Sequence, residues 1–464
     1  MSSTSQVGRR EVLIINPTNL SDGKFSDRNG LNQIIFEIPR ASKVLNGKSL
    51  RISGTMTLKN GSDEAPLNGT NFYGNVTTQA DPPVRDFFID GRVGLHSACE
   101  TISIMNLEGA TYSTVKNYNR LTSSILPLAN SVYDYQNGED LASGGMGKDS
   151  LTARKCDQPF DFCIPIYEGL LQGQPLDLML VKGLKIVITL ASSNFVIHNN
   201  YWRNQDSASA LASGGAFYEL SDVLLTAETE VPPADAQEAM MNNRNGIFEY
   251  ETYTNMYNVL QSTDHSVSLN INTSRTLGVI GNMVPSEWIN NYRYNSSQCL
   301  QPLAENGNAI LDNRIVVDLA TYTRGSLRQP LDFEVKSEIP QEEGVADSGK
   351  NWEELNILTR EWIVSSLLKS LQTELSNPLS NTQEARYSRN RQAIVDEDKR
   401  QQYNIGVGMD WITENGMNFK GVPYGTRIKL KFTNNEDLEP HSIFFFVKHK
   451  NTIEFNDGMV NVLN

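Results

Sequence analysis

Four cysteines in 464 residues leave little for disulfide or thiolate chemistry. Cys99, Cys156, Cys163 and Cys299 show no CxxC spacing, so neither a zinc knuckle nor a disulfide framework is signalled, and all four are read as free thiols. Histidine is equally scarce. His96, His198, His265, His441 and His449 never form HxH or HExxH, so the signatures of cupin and zincin metal centres are absent and no metal or cofactor is expected. No apolar run approaches the ~20 residues of a membrane-spanning helix. The opening MSSTSQVGRREVLIIN lacks the apolar core and cleavage site of a signal peptide, so we expect synthesis and folding in the cytosol. Asn68-Gly-Thr and Asn295-Ser-Ser are accordingly read as polar turns and not as glycan acceptors.

Positive charge is also in deficit. With 40 Lys and Arg against 54 Asp and Glu, the net charge is −14, the wrong sign for a body that grips phosphate backbone. Nucleic-acid contact would have to be local, at Arg9-Arg10 or within RYSRNRQAIVDEDKR (386–400). That second stretch carries Asp396, Glu397 and Asp398 among its bases and reads as solvated surface.

What the sequence does have is length, turns and alternation. A 464-residue chain exceeds the ~250–300 residues that one core serves, so two domains, or one duplicated architecture, are expected. In LRISGTMTL, Leu50, Ile52, Met56 and Leu58 share one strand face and Arg51, Ser53, Thr55 and Thr57 the other. GLKIVITL, SVSLNIN and TRIKLKF repeat the pattern through Leu184, Ile186, Ile188 and Leu190, through Val267, Leu269 and Ile271, and through Ile428, Leu430 and Phe432. Asn46-Gly47, Asp90-Gly91, Asn306-Gly307 and Asp457-Gly458 are dipeptides suited to tight reversals. In HSIFFFVK (441–448) both strand faces are apolar, which predicts a strand covered on both sides, with Lys448, His449 and Lys450 as flanking gatekeepers.

Helical pattern is rarer. It is clearest in NWEELNILTREWIVSSLLKSLQTEL (351–375), where Val364, Leu367, Leu368, Leu371 and Leu375 share a face behind an Asn351 cap. Tyr112–Leu126 and Ala234–Asn243 are shorter candidates, the second preceded by Val231-Pro232-Pro233, where we place a boundary between residues 1–232 and 233–464. The fold class expected is all-β with minor helices: two consecutive β-sandwiches or jelly rolls, the second with a helical insertion around 351–376. The tail through Arg10 is expected to be adaptable and to face inward.

Candidate chemistry is thin. His96, Ser97, Cys99 and Glu100 crowd five positions, but alternation puts Ala98, Ile102 and Ile104 on one face and Cys99, Thr101 and Ser103 on the other, so sequence neighbours diverge in space. GGMGKDS (144–150) has Asp149 where a phosphate loop needs Ser or Thr. Glu436, Asp437 and Glu439 lack the spacing of an EF-hand loop. Arg427, Lys429 and Lys431 form a basic stripe that the wet face of an amphipathic strand explains. No catalytic, cofactor or metal residues are assigned.

Several stretches nevertheless resemble one protein family. GLHSACETISIMNLEGATYSTVKNYNRLTSSIL (94–126), DFCIPIYEGLLQGQPLDLMLVKGLKIVITLASSNFVI (161–197) and YELSDVLLTAETEV (218–231) are similar to successive segments of the first jelly roll in major capsid proteins of virophages and polinton-like viruses. YTNMYNVLQSTDHSVSLNINTSRTLGVIGNMVPSEWINNYRYNSSQ (253–298) and NFKGVPYGTRIKLKFTNNEDLEPHSIFFFVKHKNTIEF (418–455) resemble the opening and closing segments of the second. Residues 300–410 match nothing in that pattern. The resemblance implies a double jelly-roll coat protein of the adenovirus hexon-like lineage, a non-enzyme made in host cytoplasm or nucleus and residing in the virion. Its partners would be itself, as homotrimer and neighbouring pseudo-hexameric capsomers, together with penton and minor capsid proteins. The N-terminal tail would offer a contact to inner membrane or DNA, and no small-molecule substrate is implied. A carbohydrate-binding sandwich, as in a viral spike or lectin, is the alternative; a β-sandwich hydrolase would need paired carboxylates.

Overall fold

The computed structural model describes residues 8–19, 23–28, 32–60, 88–90, 93–129, 153–155, 159–198, 216–260, 266–292, 295–297, 313–319, 331–336, 404–408, 416, 418–420, 427–432 and 440–463. The first half opens with β1 (Arg9–Ile15), β2 (Lys24–Phe25), β3 (Gln33–Ile38), β4 (Val44–Asn60), β5 (Phe88–Asp90), β6 (Cys99–Met105) and β7 (Thr111–Lys116). Helix α1 (Tyr118–Ala129), β8 (Ala153–Lys155), β9 (Phe160–Pro165) and the one-turn helix α2 (Gly169–Gln172) follow. Then come β10 (Leu176–Asp177), β11 (Leu184–Leu190), α3 (Ser193–Val196) and the long β12 (Ala216–Val231). Helix α4 (Ala234–Asn242) leads into β13 (Gly246–Leu260), β14 (Ser266–Asn270), β15 (Thr276–Pro285), β16 (Asn313–Leu319) and β17 (Leu331–Lys336). β18 (Asn404–Gly408), β19 (Arg427–Phe432), β20 (His441–Asn456) and β21 (Met459–Leu463) end the chain.

The strand orders of the two halves match position by position. In the first half they are β1-β12-β4-β10 and β3-β11-β6-β7; in the second, β13-β20-β15-β18 and β14-β19-β16-β17. In each half the first strand lies beside the long closing strand, and among the described strands the last one of the second sheet is an edge. Two four-stranded antiparallel sheets in this order make a jelly roll, so the chain is a double jelly roll. β9 adds to β4, β2 to β12 and β21 to β20, and β5 pairs with β8 as a separate ribbon.

Local sequence explains the well-formed strands. β11 alternates strictly between buried and half-buried, with Leu184, Ile186, Ile188 and Leu190 inward. In β4, Leu50, Ile52, Met56 and Leu58 are buried, the face that alternation selects. Asp457 and Gly458 take φ of 48° and 84° between β20 and β21, the two left-handed positions of a type I′ hairpin turn.

Elsewhere neighbours override the local signal. Asn46-Gly47 is no reversal; it lies inside β4, beside a shift in the pairing with β12. A Cβ on Gly47 would stand 2.2 Å from the Leu171 carbonyl oxygen, so glycine is there to admit α2. Tyr112–Leu126 is not one helix. Residues 111–116 form β7, Asn117 turns the chain at φ 52°, and α1 begins at Tyr118. The basic cluster at Lys448–Lys450 does not flank its strand, because β20 runs on to Asn456, burying His449 and pairing Lys448 with Glu251 at 2.7 Å. Of the tail expected to be adaptable through Arg10, Arg9 and Arg10 already belong to β1, opposite Val231 and Glu230, and residues 1–7 lie outside the described residues. Asn306-Gly307, the helix around 351–376 and the 386–400 stretch lie outside the described residues.

Candidate functional site: the seam between the jelly rolls

The His96 cluster takes its shape from a turn. His96, Ser97 and Ala98 lie in a 3-10 turn, Gly94–Ala98, and β6 starts at Cys99. Pairing with β11 slips by one residue, with Thr189 opposite Thr101 and Leu190 opposite Cys99, so Glu100 is extra. That bulge turns Cys99 inward with Ile102 instead of leaving it beside Thr101 and Ser103. Ser97 Oγ donates to the Gly94 carbonyl at 2.7 Å, while His96 Nδ1 lies 3.5 Å from the Tyr118 hydroxyl and its ring 5.3 Å from that of Tyr167. Burial lowers the His96 pKa to about 3 and raises that of Cys99 to about 12. A neutral imidazole and a protonated thiol pointed into the core are structural side chains.

The other candidates stay apart. Arg9 lies 3.6 Å from Glu11, and Arg10 lies 3.4 Å from Glu228. Arg427, Lys429 and Lys431 sit on β19 in register with Asn270, Ser268 and Ser266 of β14. His198, His441 and His449 are buried at separate places, and among the described residues no three His, Cys, Asp or Glu side chains form a metal-holding group. GGMGKDS and Glu436–Glu439 fall outside the described residues.

Buried polar groups gather instead where the two jelly rolls meet. Arg120, on α1, is fully buried and reaches into the second half: its Nε and Nη2 donate to Asn282 Oδ1 on β15 at 3.1 and 2.6 Å, and Nη1 to the Ser296 carbonyl at 2.5 Å. Asn282 returns Nδ2 hydrogen bonds to the Arg120 carbonyl at 2.9 Å and Ser124 Oγ at 2.5 Å. The guanidinium also stands 5.0 Å from the Phe444 ring. An arginine carried by the first half and buried this way is held by acceptors on the second.

A second knot lies along β7 and β13. Glu168 caps α2 by accepting from Leu170 N–H at 2.9 Å, and it also accepts from Ser113 Oγ at 2.6 Å and Thr252 Oγ1 at 3.4 Å. Ser113 and Thr252 are 2.9 Å apart, and Asn117 donates to Asn255 at 2.7 Å. The Tyr250 hydroxyl donates to the Tyr112 carbonyl, and the Tyr112 and Phe455 rings meet edge to face at 6.2 Å. Burial raises Glu168 to about 7, against the lowering pull of its hydrogen bonds to Ser113 and the α2 backbone. Sequence reasoning missed both knots. An acid directly before Gly169-Leu170-Leu171 is a capping signal, but nothing local marks Glu168 or Arg120 as buried.

Apolar contact crosses the seam as well. One continuous core runs from Ile34, Phe36 and Ile186 in the first half to Ile280, Val284, Phe444, Phe446 and Phe455 in the second. Ile443, Phe445 and Val447, on the opposite face of β20, are equally buried.

No family model and no curated protein sequence matches the chain. Solved structures do. A quasi-atomic model of the PBCV-1 virus capsid matches at a TM-score of 0.52 with 10% identity, covering 100% of this chain and 98% of that one. The crystal structure of PBCV-1 VP54, fitted into a reconstruction of the virophage Sputnik, matches at 0.50 with 10% identity and the same coverage. The mavirus major capsid protein aligns over 97% of this chain and 89% of its own at 10% identity, with a TM-score of 0.43. At such identities the likeness is one of fold.

Proposed function

We propose that this chain is the major capsid protein of an icosahedral virus, a non-enzyme whose homotrimers form pseudo-hexameric capsomers of the shell. The observation that carries the reading is the jelly-roll order repeated twice in one chain, together with the end-to-end likeness of that fold to a structure taken from a virus capsid. The buried knots at the seam support it further. They lock two sandwiches into one block, which suits a building unit that bears load through its faces. We divide the chain at 232/233, with a single jelly roll on either side of that boundary. Function resides in surfaces: contacts with further copies, with penton and minor capsid proteins, and, through the segment ahead of β1, with DNA or an inner membrane. Negative-stain electron microscopy of the purified chain tests this. The expected class averages are three-fold particles of hexagonal outline; uniform single-chain particles at micromolar concentration would overturn the reading, and glycan binding by such monomers would point to the lectin alternative.

A further inference from the structure

The two jelly rolls share a strand order but not a setting. β13, the edge strand beside β20, is covered within the chain over its middle: Thr252 meets Ser113 of β7, Asn255 meets Asn117, and a Cβ on Gly169 of α2 would collide with the Glu251 carbonyl, while Ile247 and Tyr257 towards its ends stay 67% and 54% exposed. β1 holds the corresponding edge beside β12. There, Val12 and Ile14 are 70% and 67% exposed. An apolar pair on an open edge strand is a hazard that proteins usually blunt with charge, unless something pairs with it. The strand that covers β13 is β7, last in β3-β11-β6-β7; its counterpart, last in β14-β19-β16-β17, is β17. Among the described strands β17 pairs with β16 alone, so it too is an edge.

We propose that β1 of one copy seats β17 of a second copy, repeating between chains the seam that β7 makes with β13 inside one. This rests on the capsomer reading above and assigns its contact surface. The two edges belong to different jelly rolls, so the contact is heterologous, and each copy offers one of each. Closure after three copies gives six jelly rolls joined alternately within and between chains. Net charge agrees in sign: the β1 sequence RREVLII carries Arg9, Arg10 and Glu11, a net +1, and the β17 sequence LDFEVK carries Asp332, Glu334 and Lys336, a net −1.

The test is Val12→Asp with Ile14→Asp, followed by light scattering and a circular dichroism melt. Both side chains are exposed in the single chain, so the variant is expected to melt like the parent while its mass falls to one third. Met241→Asp, on a residue 56% exposed on α4, is expected to leave the mass unchanged. Should the double variant fail to fold, Val12→Cys combined in turn with Glu334→Cys or Val335→Cys decides: oxidation is expected to yield chain-to-chain disulfides in one of the two pairings. A parent that is monomeric would sink the capsomer reading itself. A parent that assembles, with a folded double variant assembling equally well or neither cysteine pairing cross-linking, would leave the capsomer standing and overturn this surface.

Discussion

β12 and β20 hold the same place in their respective sheets, and both open on a run buried on both faces, Ala216–Leu220 in β12, but that run is longer in β20 and the strict alternation that follows it in β12 is missing. From Val223 to Thr229, β12 buries every second residue; from His441 to Val447, β20 buries all seven. The difference originates outside either sandwich. The first jelly roll lays Arg120 against Phe444 and shares its core with Phe446, so the outer face of the sheet that holds β20 has become an interior. The pattern of a strand thus reports its neighbours as much as its own fold.

The comparison is broken most severely by removing β20 and β21. A chain of residues 1–440 is expected to be insoluble or unable to assemble, as judged by recovery after expression. Single residues give the graded version: Phe446→Ala is expected to cost ~3–5 kcal/mol in chemical denaturation, whereas Thr226→Ala, on the half-buried face of β12, stays within ~0.5 kcal/mol. Equal costs would mean that the two strands share one environment after all.

Arg120→Ala comes next. It removes charge-assisted hydrogen bonds to Asn282 and the Ser296 carbonyl, worth roughly 1.5–3 kcal/mol each before relaxation. Calorimetry is expected to resolve the single transition into two as the jelly rolls uncouple; one undivided transition would show that the seam does not depend on it.

Glu168 sharpens the comparison through pH. Its folded pKa, about 7, lies above the ordinary 4.5, so its contribution to stability is full below pH 4.5 and is lost as pH rises through 7. The loss amounts to about 3 kcal/mol at pH 8. His96 acts in the opposite sense. Burial depresses its pKa to about 3, so its contribution holds above 6.5 and is lost as pH falls. The informative quantity is therefore the difference between Glu168→Gln and the parent. The variant is expected to gain melting temperature relative to the parent between pH 5 and pH 8; a constant difference would show that Glu168 does not ionise in the folded seam. The smallest effect is local to the second jelly roll: Gly458→Ala, at φ 84°, is expected to cost ~1 kcal/mol without affecting assembly.

Much of the fold was legible because alternation is a local consequence of pleating. The buried faces of β4 and β11, the Asp457-Gly458 turn, the helix from Ala234 and a β20 covered on both sides all followed from residue order. The seam was not legible, because it depends on segments far apart. Tyr112, Val115, Tyr118 and Leu121 fall at a helical spacing of three, yet the first two are on a strand whose Ser113 is also buried, by Thr252 of the other jelly roll. Glu168 reads as a solvated acid until residues 113 and 252 close over it. The bulge that turns Cys99 inward is likewise set by pairing with β11 and not by its own neighbours.

The most direct test of the account is the mass of the purified full-length chain in solution, measured by multi-angle light scattering at micromolar concentration. The proposed capsomer, in which β1 of one copy meets β17 of the next, predicts three chain masses, unchanged on tenfold dilution. A single chain mass across that range would contradict it.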